Sequence, residues 1–430
     1  MVSSQADEAR LPARSLKIAV IGGGSAYAPG LIAAFAEKRE AFEGAELVLM
    51  DVAERELQIV GRLASRLVED SGLSVSITTD RRAAIKDSDI VLTTFREGGL
   101  TARHLDESVP LRFGVIGQET IGPGGFFFAQ RTVVTMREIV RDIEELAPTA
   151  TLVNYSNPTQ IVAEAVSEKS AVRTVAICDQ TDDDRVHLAK ALDVEPESIA
   201  LESVGVNHAT WSTSCLVAGQ DGVAAMVAAY DRVMSRPDVA IRIKRVFELT
   251  KRYSQVPNSY LPYYYFEAEA AAGAAAAGAS RAEKIAAELP AIYEHFSEQA
   301  SVPVPRLTMG RGGSVFGDFA VRVVDALVTS KRVRLTLNVR NSGAAVPYLD
   351  HERIVEVPCY VEAGQITPQP QPNVSADRRG LIRALADYQI AAAEAIWSSD
   401  PVAEVRALAS NPLVRSLPLA DRLLAARWNR

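Results

Sequence analysis

Cysteine is nearly absent, with three in 430 residues, at Cys178, Cys215 and Cys359. Three scattered thiols exclude a disulfide framework and suit a reducing compartment. Long apolar runs are missing too: nothing approaches the ~18 residues that a membrane span requires. The alanine-rich stretch near 270–279 is too short and too weakly apolar. The opening MVSSQADE carries acids and no apolar core, so it does not read as a secretory signal. No long basic run exists, and 46 basic against 54 acidic residues leave a net charge of −8. That balance argues against a partner with a phosphate backbone. What is present is 48% hydrophobic and 23% charged residues, the composition of a packed globular protein, expected in the cytoplasm.

Residues 1–15 read as a polar, disordered arm. Order is expected from LKIAVI at Leu16–Ile21, a short apolar run that stops at glycines and reads as a buried parallel strand. Similar runs recur at Glu46–Met50, Ser74–Thr79, Asp89–Phe95, Ala150–Tyr155 and Thr174–Cys178. Helical periodicity separates most of them, at 30–39, 53–70, 131–146 and 159–169. Alternating strands and helices predict an α/β fold with a Rossmann-like, doubly wound parallel sheet. After Val204 the rhythm changes. One or two strands at Leu201–Leu216 precede helical stretches at 222–252 and 265–297. Strand-like runs follow at Val333–Val339 and Ile354–Val361, then helices to the end. This predicts a second, mixed α+β domain over 204–430, with the substrate in the cleft between the two.

The first strand runs into Gly22-Gly23-Gly24-Ser25, with Gly22 and Gly24 in the first two positions of G-x-G-x-x-G. Tyr27 stands where the third glycine usually falls. A bare turn before a helix N-terminus lets a pyrophosphate approach the backbone. Asp51 closes the second strand, where a carboxylate accepts ribose hydroxyls and repels a 2′-phosphate. The two signals together predict NAD, with Gly22, Gly24, Ser25 and Asp51 in contact and residues 16–203 as its domain.

Other polar residues fall at predicted strand ends. Cys178-Asp179 closes TVAICD, and Asn207-His208 lies in SVGVNHATW. A thiolate and an imidazole suit a borderline transition metal such as manganese, iron or cobalt. Asn154-Tyr155-Ser156-Asn157-Pro158 ends another strand. The segment SYLPYYY at 259–265 holds four of the chain's twelve tyrosines. A tyrosine near a metal and a cation can be drawn toward the phenolate and act as a base. Asp182-Asp183-Asp184 is expected to cap a helix.

These segments resemble glycoside hydrolase family 4, the NAD- and metal-dependent 6-phosphoglycosidases. The similar stretches include KIAVIGGGSAYAP, VIGQETIGPGGFFFAQRT, NYSNPTQIV, AICD, GVNHATW, NSYLPYYYF, RGGSVF and NVRNSGA with VEVPCYV, across residues 16–365. A sibling family, the NAD-dependent sulfoquinovosidases, follows the same redox route on a 6-sulfonated sugar. The resemblance implies hydrolysis that departs from the two-carboxylate scheme. C3 of the sugar is transiently oxidised by NAD, the C2 proton is removed, the leaving group is eliminated, and water adds at C1.

The roles carried over are these. Cys178 and His208 hold a divalent metal, most plausibly Mn2+. Tyr260 is the C2 base, with Tyr264 as the alternative. Asp179 assists the leaving group, which favours α-glycosides. Asn154 and Asn157 hold sugar hydroxyls, Asn157 also bordering the cofactor. Arg96 and Arg311 are candidates for the anion on C6. The resemblance also implies a homodimer or homotetramer, with 204–430 binding substrate and forming the oligomer, and no nucleic-acid or membrane partner. Departures from the family's wording cluster near these residues: Cys178-Asp179-Gln180-Thr181 stands where Cys-Asn-Val-Pro or Cys-Asp-Met-Pro is common. Phosphate and sulfonate at C6 therefore both stay open, and so does another uronate-like or neutral sugar. So do two rivals, a malate- or lactate-type NAD-dependent dehydrogenase and a non-catalytic NAD sensor.

Overall fold

The computed structural model describes residues 15–310 and 313–427. The arm expected at 1–15 lies outside them apart from Ser15, and so does Arg311. Each expected N-terminal run forms a strand: β1 Lys17–Ile21, β2 Glu46–Met50, β3 Ser74–Thr78, β4 Ile90–Thr93, β5 Thr151–Asn154 and β6 Arg173–Ala176. They pair in parallel in the order β3-β2-β1-β4-β5-β6. The middle strands are buried on both faces, which is why they read as unbroken apolar runs. Parallel strands end at one edge of the sheet. That edge receives Gly22, Asp51, Arg96, Asn157 and Cys178, each just beyond a strand terminus.

The C-terminal half extends the same sheet. It contributes β7 Ile199–Val206, β8 Ala209–Val217, β9 Gln220–Asp221, β10 Val333–Arg340, β11 Ile354–Glu362 and β12 Gln365–Pro368. β10 joins β6 antiparallel through the single pair Asn338–Ala176, and β11 joins β7 through Glu356–Gly205. Since Asn338 also faces Glu356, one row crosses four strands: Ala176, Asn338, Glu356 and Gly205. C-terminal helices then pack back on the first half. Ala376–Ser398 lies on Thr159–Lys169 and Gly122–Leu146, and Gly313–Val328 lies on Ala28–Glu37. A Cβ on Gly317 would stand 2.6 Å from the Gly30 carbonyl oxygen, so that last crossing is as close as two backbones allow. One apolar core links Leu152, Val204, Leu337 and Ile396. Among the described residues no helix is long and apolar enough to cross a membrane.

The helical stretches differ from expectation in three places. The helix expected at 131–146 begins at Gly122, because Gly124 and Gly125 are inside it. A Cβ on Gly124 would lie 2.3 Å from the Gln118 carbonyl oxygen, and one on Gly125 2.5 Å from the Thr120 carbonyl carbon. These glycines trade helix propensity for close approach of the loop at 118–120. The stretch 222–252 splits into Gly222–Ser235 and Ile241–Tyr253 around Pro237. The stretch 265–297 splits into Glu267–Ala276 and Arg281–Gln299, the second opened by a Ser280/Glu283 capping box.

β7 and β8 form a hairpin whose pairing runs to Val206–Ala209, leaving Asn207 and His208 as its two-residue turn. Gly205 precedes that turn at φ 156°, and a Cβ there would sit 2.3 Å from the Ala209 carbonyl oxygen. Gly205→Ala is therefore expected to lower stability by about 1–3 kcal/mol through forced separation of the hairpin strands. Denaturant unfolding of the purified variant measures it, and an unchanged midpoint would mean that the hairpin yields without cost.

Candidate active site

At the cofactor end, the Gly22 and Gly23 N–H groups both donate to the Met50 carbonyl, at 2.9 and 2.8 Å. A side chain on Gly22, at φ 99°, would lie 2.7 Å from the Phe95 backbone nitrogen. The turn is thus folded tightly between the ends of β2 and β4. Gly24 N–H donates to Asp51 Oδ2 and Ala53 N–H to Oδ1, both at 3.0 Å. These two bonds orient the Asp51 carboxylate and leave it lone pairs for ribose hydroxyls. Ser25 Oγ is buried with no hydrogen-bond partner among the described residues, shortly before the helix Ala28–Glu37, whose N-terminus has no side-chain cap. An orphaned hydroxyl beside uncapped N–H groups fits a phosphate oxygen. The residues present fit NAD.

At the metal end, His208 is buried and adopts φ 62°, a left-handed conformation that a non-glycine residue reaches only at a cost. Its ring is held on three sides. Thr120 donates its hydroxyl proton to Gln118 Oε1 at 2.9 Å, so at 3.1 Å it accepts from His208 Nδ1–H. That fixes the tautomer and leaves Nε2 with a free lone pair. Cys178 Sγ lies 3.5 Å from Nε2. Metal–sulfur and metal–nitrogen bonds of about 2.3 and 2.1 Å at a tetrahedral angle would put the two donors about 3.5 Å apart. Thiol and imidazole therefore stand where two ligands of one ion belong, and together they fit a divalent transition metal. Among the described residues no group of three or more His, Cys, Asp or Glu side chains is placed to hold a metal. Such an ion would take its remaining ligands from substrate or water.

On the third side the Tyr260 ring stacks on His208, with centroids 3.9 Å apart and planes 8° from parallel. Burial holds the Tyr260 phenol well above its usual range, and Glu119 adds to the effect, while the Arg242 guanidinium, 6.0 Å from the ring, pulls the other way. Burial also pushes the Cys178 thiol well up, with Glu356 and Asp179 adding to it. Asp179 rises to about 6, again by burial, and shares a hydrogen bond with Tyr155. A carboxyl that keeps its proton into mildly acidic solution is what proton donation requires. Tyr264, the alternative to Tyr260, packs against the core and lines the same small cavity as His208, whereas the ring stacked on His208 is that of Tyr260.

The other expected residues are placed differently. Asn154 is fully buried, and its amide is committed to Thr93 and Ser156. Asn157 Oδ1 accepts from the N–H and hydroxyl of Thr159. Arg96 is ion-paired to Glu119 at 2.6 Å and lies 4.4 Å above the Phe128 ring. Glu119 also pairs with Arg103 at 3.0 Å, and Arg103 with Glu107. Asp182 and Asp183 do not cap the helix Gln180–Leu192, whose N-cap is Asp179 with no side-chain cap; they lie inside its first turn, where their charge favours its positive end. Asp184 turns inward instead, taking Gln180 Nε2 at 2.7 Å and the Ser259 N–H at 3.1 Å. It thereby ties the helix after Asp179 to the loop that carries Tyr260. Sequence reasoning passed over Thr120, Glu119, Arg242 and Glu356, and gave Asp184 only a helix-capping role. For Glu356 a signal existed, a single acid inside the apolar run IVEVPCYV. For Arg242 there was none.

Burial depresses His208 to about 3 from an ordinary 6.5, with Arg242 adding to the shift. The unfolded chain binds a proton there below about 6.5 and the native chain does not, so this histidine makes the metal-free protein lose stability as pH falls toward 3. Unfolding free energy of wild type should fall more steeply than that of His208→Gln over this window, by about 1.4 kcal/mol per pH unit. Denaturant titrations with chelator present test it, and parallel curves would show that His208 is protonated in the folded state.

Comparison with known proteins bears on this arrangement. The model of the family 4 glycosyl hydrolases matches residues 17–194, and that of the family 4 glycosyl hydrolase C-terminal domain matches 203–414. A probable 6-phospho-beta-glucosidase of Bacillus subtilis is 34% identical over 428 residues, covering 96% of this chain and 95% of its own. A solved 6-phospho-alpha-glucosidase from gut microorganisms, in complex with NAD and Mn2+, superposes with a TM-score of 0.85 at 25% identity, over 96% of this chain and 97% of its own. The Thermotoga maritima 6-phospho-beta glucosidase, solved with manganese, NAD+ and glucose-6-phosphate, gives 0.83 at 26% identity over the same shares. With both family models matched end to end along the sheet just described, the chain belongs to glycosyl hydrolase family 4.

Proposed function

We propose that the chain hydrolyses 6-phosphoglycosides with NAD and a divalent metal, Mn2+, as cofactors. The observation that carries this reading is the contact of Cys178 Sγ, His208 Nε2 and the Tyr260 ring at one strand edge, next to Asp179. In this reading residues 16–203 form the NAD domain, and residues 204–430 bind substrate and form a homodimer or homotetramer. The three free thiols suit the cytoplasm.

Gly22, Gly24 and Ser25 bind the pyrophosphate and Asp51 the ribose, with Asn157 bordering the nicotinamide end. Cys178 and His208 hold the metal. When bound, NAD supplies a hydride acceptor for C3 of the sugar and the metal a Lewis acid for the oxygen there. Tyr260 takes the C2 proton that the resulting carbonyl acidifies. Its buried phenol needs the positive charge of Arg242 and of the ion to release its own proton first. Asp179 gives a proton to the departing oxygen. Asn154 shapes the turn that presents Asn157 to the sugar hydroxyls. Arg96, already neutralised in part by Glu119, and Arg311 receive the anion on C6.

Asp179 favours α-glycosides, since a proton donor at this position matches that reading of the family. A second reading, β-glycosides, is favoured by the relatives themselves: those at 34% and 30% identity are described as a probable 6-phospho-beta-glucosidase and a 6-phospho-beta-glucosidase. Aryl 6-phosphoglucosides of both anomers, run beside an aryl α-sulfoquinovoside, separate the possibilities. Aglycone release that needs NAD and Mn2+ but accumulates no NADH is expected, and fastest with the α-phosphoglucoside. Preference for the β anomer or the sulfonate would move the substrate assignment. NADH build-up on a hydroxy acid without glycoside cleavage would replace the glycosidase by a dehydrogenase.

Tyr260→Phe keeps the stack on His208 and removes only the hydroxyl. Its kcat should fall by about 100-fold or more, while Mn2+ and NAD affinities hold. An unchanged kcat would exclude Tyr260 as the base.

A further inference from the structure

Glu356 is buried in β11; its Oε2 accepts from Asn207 Nδ2 at 2.6 Å, and Asn338 gives the carboxylate a second side-chain hydrogen bond. No lysine, arginine or histidine pairs with it among the described residues; the ionisable groups that bear on it and on its surroundings are Asp184 and Cys178. A buried carboxylate within electrostatic reach of a second carboxylate and a thiol, with no cation paired to it among the described residues, is costly. Burial drives it up to about 7. As a purely structural partner a glutamine would do the same work without that cost, its Oε1 accepting from Asn207 and its amide donating to the Asn338 side-chain oxygen.

The sheet register explains what the carboxylate is near. Ala176, Asn338, Glu356 and Gly205 form one row across β6, β10, β11 and β7. Directly opposed residues share a face, and so do residues two apart on one strand. Cys178 lies two residues beyond Ala176, and Asn207 two beyond Gly205. The row therefore carries Glu356 to the side of the sheet where the Cys178 sulfur and the His208 turn meet. Asn207 is fixed from a second direction, its N–H donating to Gln160 Oε1 at 3.0 Å. Gln160 in turn donates to the Ile354 carbonyl on β11.

We propose that Glu356 is a positioning residue for the metal: an outer-sphere carboxylate whose charge, with the Cys178 thiolate, balances a dication, and whose bond to Asn207 holds the turn that presents His208. The inference rests on the metal reading of Cys178 and His208. Two negative charges and one dication make a neutral buried site, whereas the thiolate alone leaves one positive charge uncompensated.

Glu356→Gln separates charge from shape, because the amide oxygen can still accept from Asn207. Manganese(II) chloride is titrated into metal-free wild type and variant by calorimetry without substrate, NAD binding is measured as a control, and thermal melting is followed with and without Mn2+. The Mn2+ Kd should rise about 10–100-fold, with NAD affinity unchanged. The metal-free variant should melt at or above wild type, and its Mn2+-induced gain in Tm should shrink. Glu356→Asp, which keeps the charge, should recover part of the affinity. Equal Mn2+ Kd in wild type and Glu356→Gln, an equal loss of Tm with and without metal, or failure of the variant to fold would each overturn the proposal. If wild type itself binds no Mn2+, the metal reading of Cys178 and His208 falls, and this inference with it.

Discussion

The site depends on one strained turn. His208 occupies the second position of a two-residue hairpin at φ 62°, a place where glycine is the unstrained choice. Such a conformation costs about 1–3 kcal/mol and persists only when its surroundings over-determine it. Here they do. Thr120 fixes Nδ1, Cys178 meets Nε2, Tyr260 covers one ring face, and Gln160 and Glu356 hold the preceding residue. Those five side chains come from five separate stretches of chain. The turn is thus a point where both halves of the fold meet, and displacing it would move His208, the stacked tyrosine and the loop at 118–120 together.

Burial is the electrostatic counterpart of that geometry. It raises Cys178, Tyr260, Asp179, Asp184 and Glu356, and lowers His208, so every one of these groups is pushed toward its neutral form. For the imidazole this is useful at once, since only the neutral ring can ligate. For the phenol and the thiol it means that a nearby positive charge controls their ionisation. Arg242 alone is too far from the Tyr260 ring to reverse the effect of burial. Proton release and arrival of a dication are therefore coupled, and the same low-dielectric enclosure that opposes ionisation makes each charge act strongly once formed.

Much of the fold was legible because parallel strands announce themselves. LKIAVI, ELVLM and their successors read as strands since a sheet covered on both faces needs continuous apolar runs. Gly22, Gly24 and Asp51 were legible for a related reason: a tight turn and a strand-end acid are local features. Cys178 and His208 were visible only as candidates, because nothing local says that a residue just after β6 and one on the β7–β8 turn meet at 3.5 Å. The helix start at Gly122 was missed because Gly124 and Gly125 look like breakers, whereas their role is to admit the backbone of 118 and 120. Arg96 illustrates the opposite limit. Its charge was evident, but its partner Glu119 sits on another segment, and only folding pairs them.

Under the proposed role of Arg96 toward the anion on C6, that pairing bears on how one sugar is told from another. Arg96 stands between the Phe128 ring and the Glu119 carboxylate, and Glu119 is shared with Arg103. A guanidinium already paired is a weaker trap for a tetrahedral anion but a better-oriented one, because its plane is set before substrate arrives. Glu119 also adds to the upward push on the Tyr260 phenol. An anion on C6 that draws Arg96 away from Glu119 would leave that carboxylate more negative toward the tyrosine, raising the opposing charge that Arg242 and the ion must offset before the phenol ionises. Recognition of the anion and basicity at C2 would then be linked through one carboxylate. A neutral hexoside would leave the Arg96–Glu119 pair closed and the tyrosine less basic.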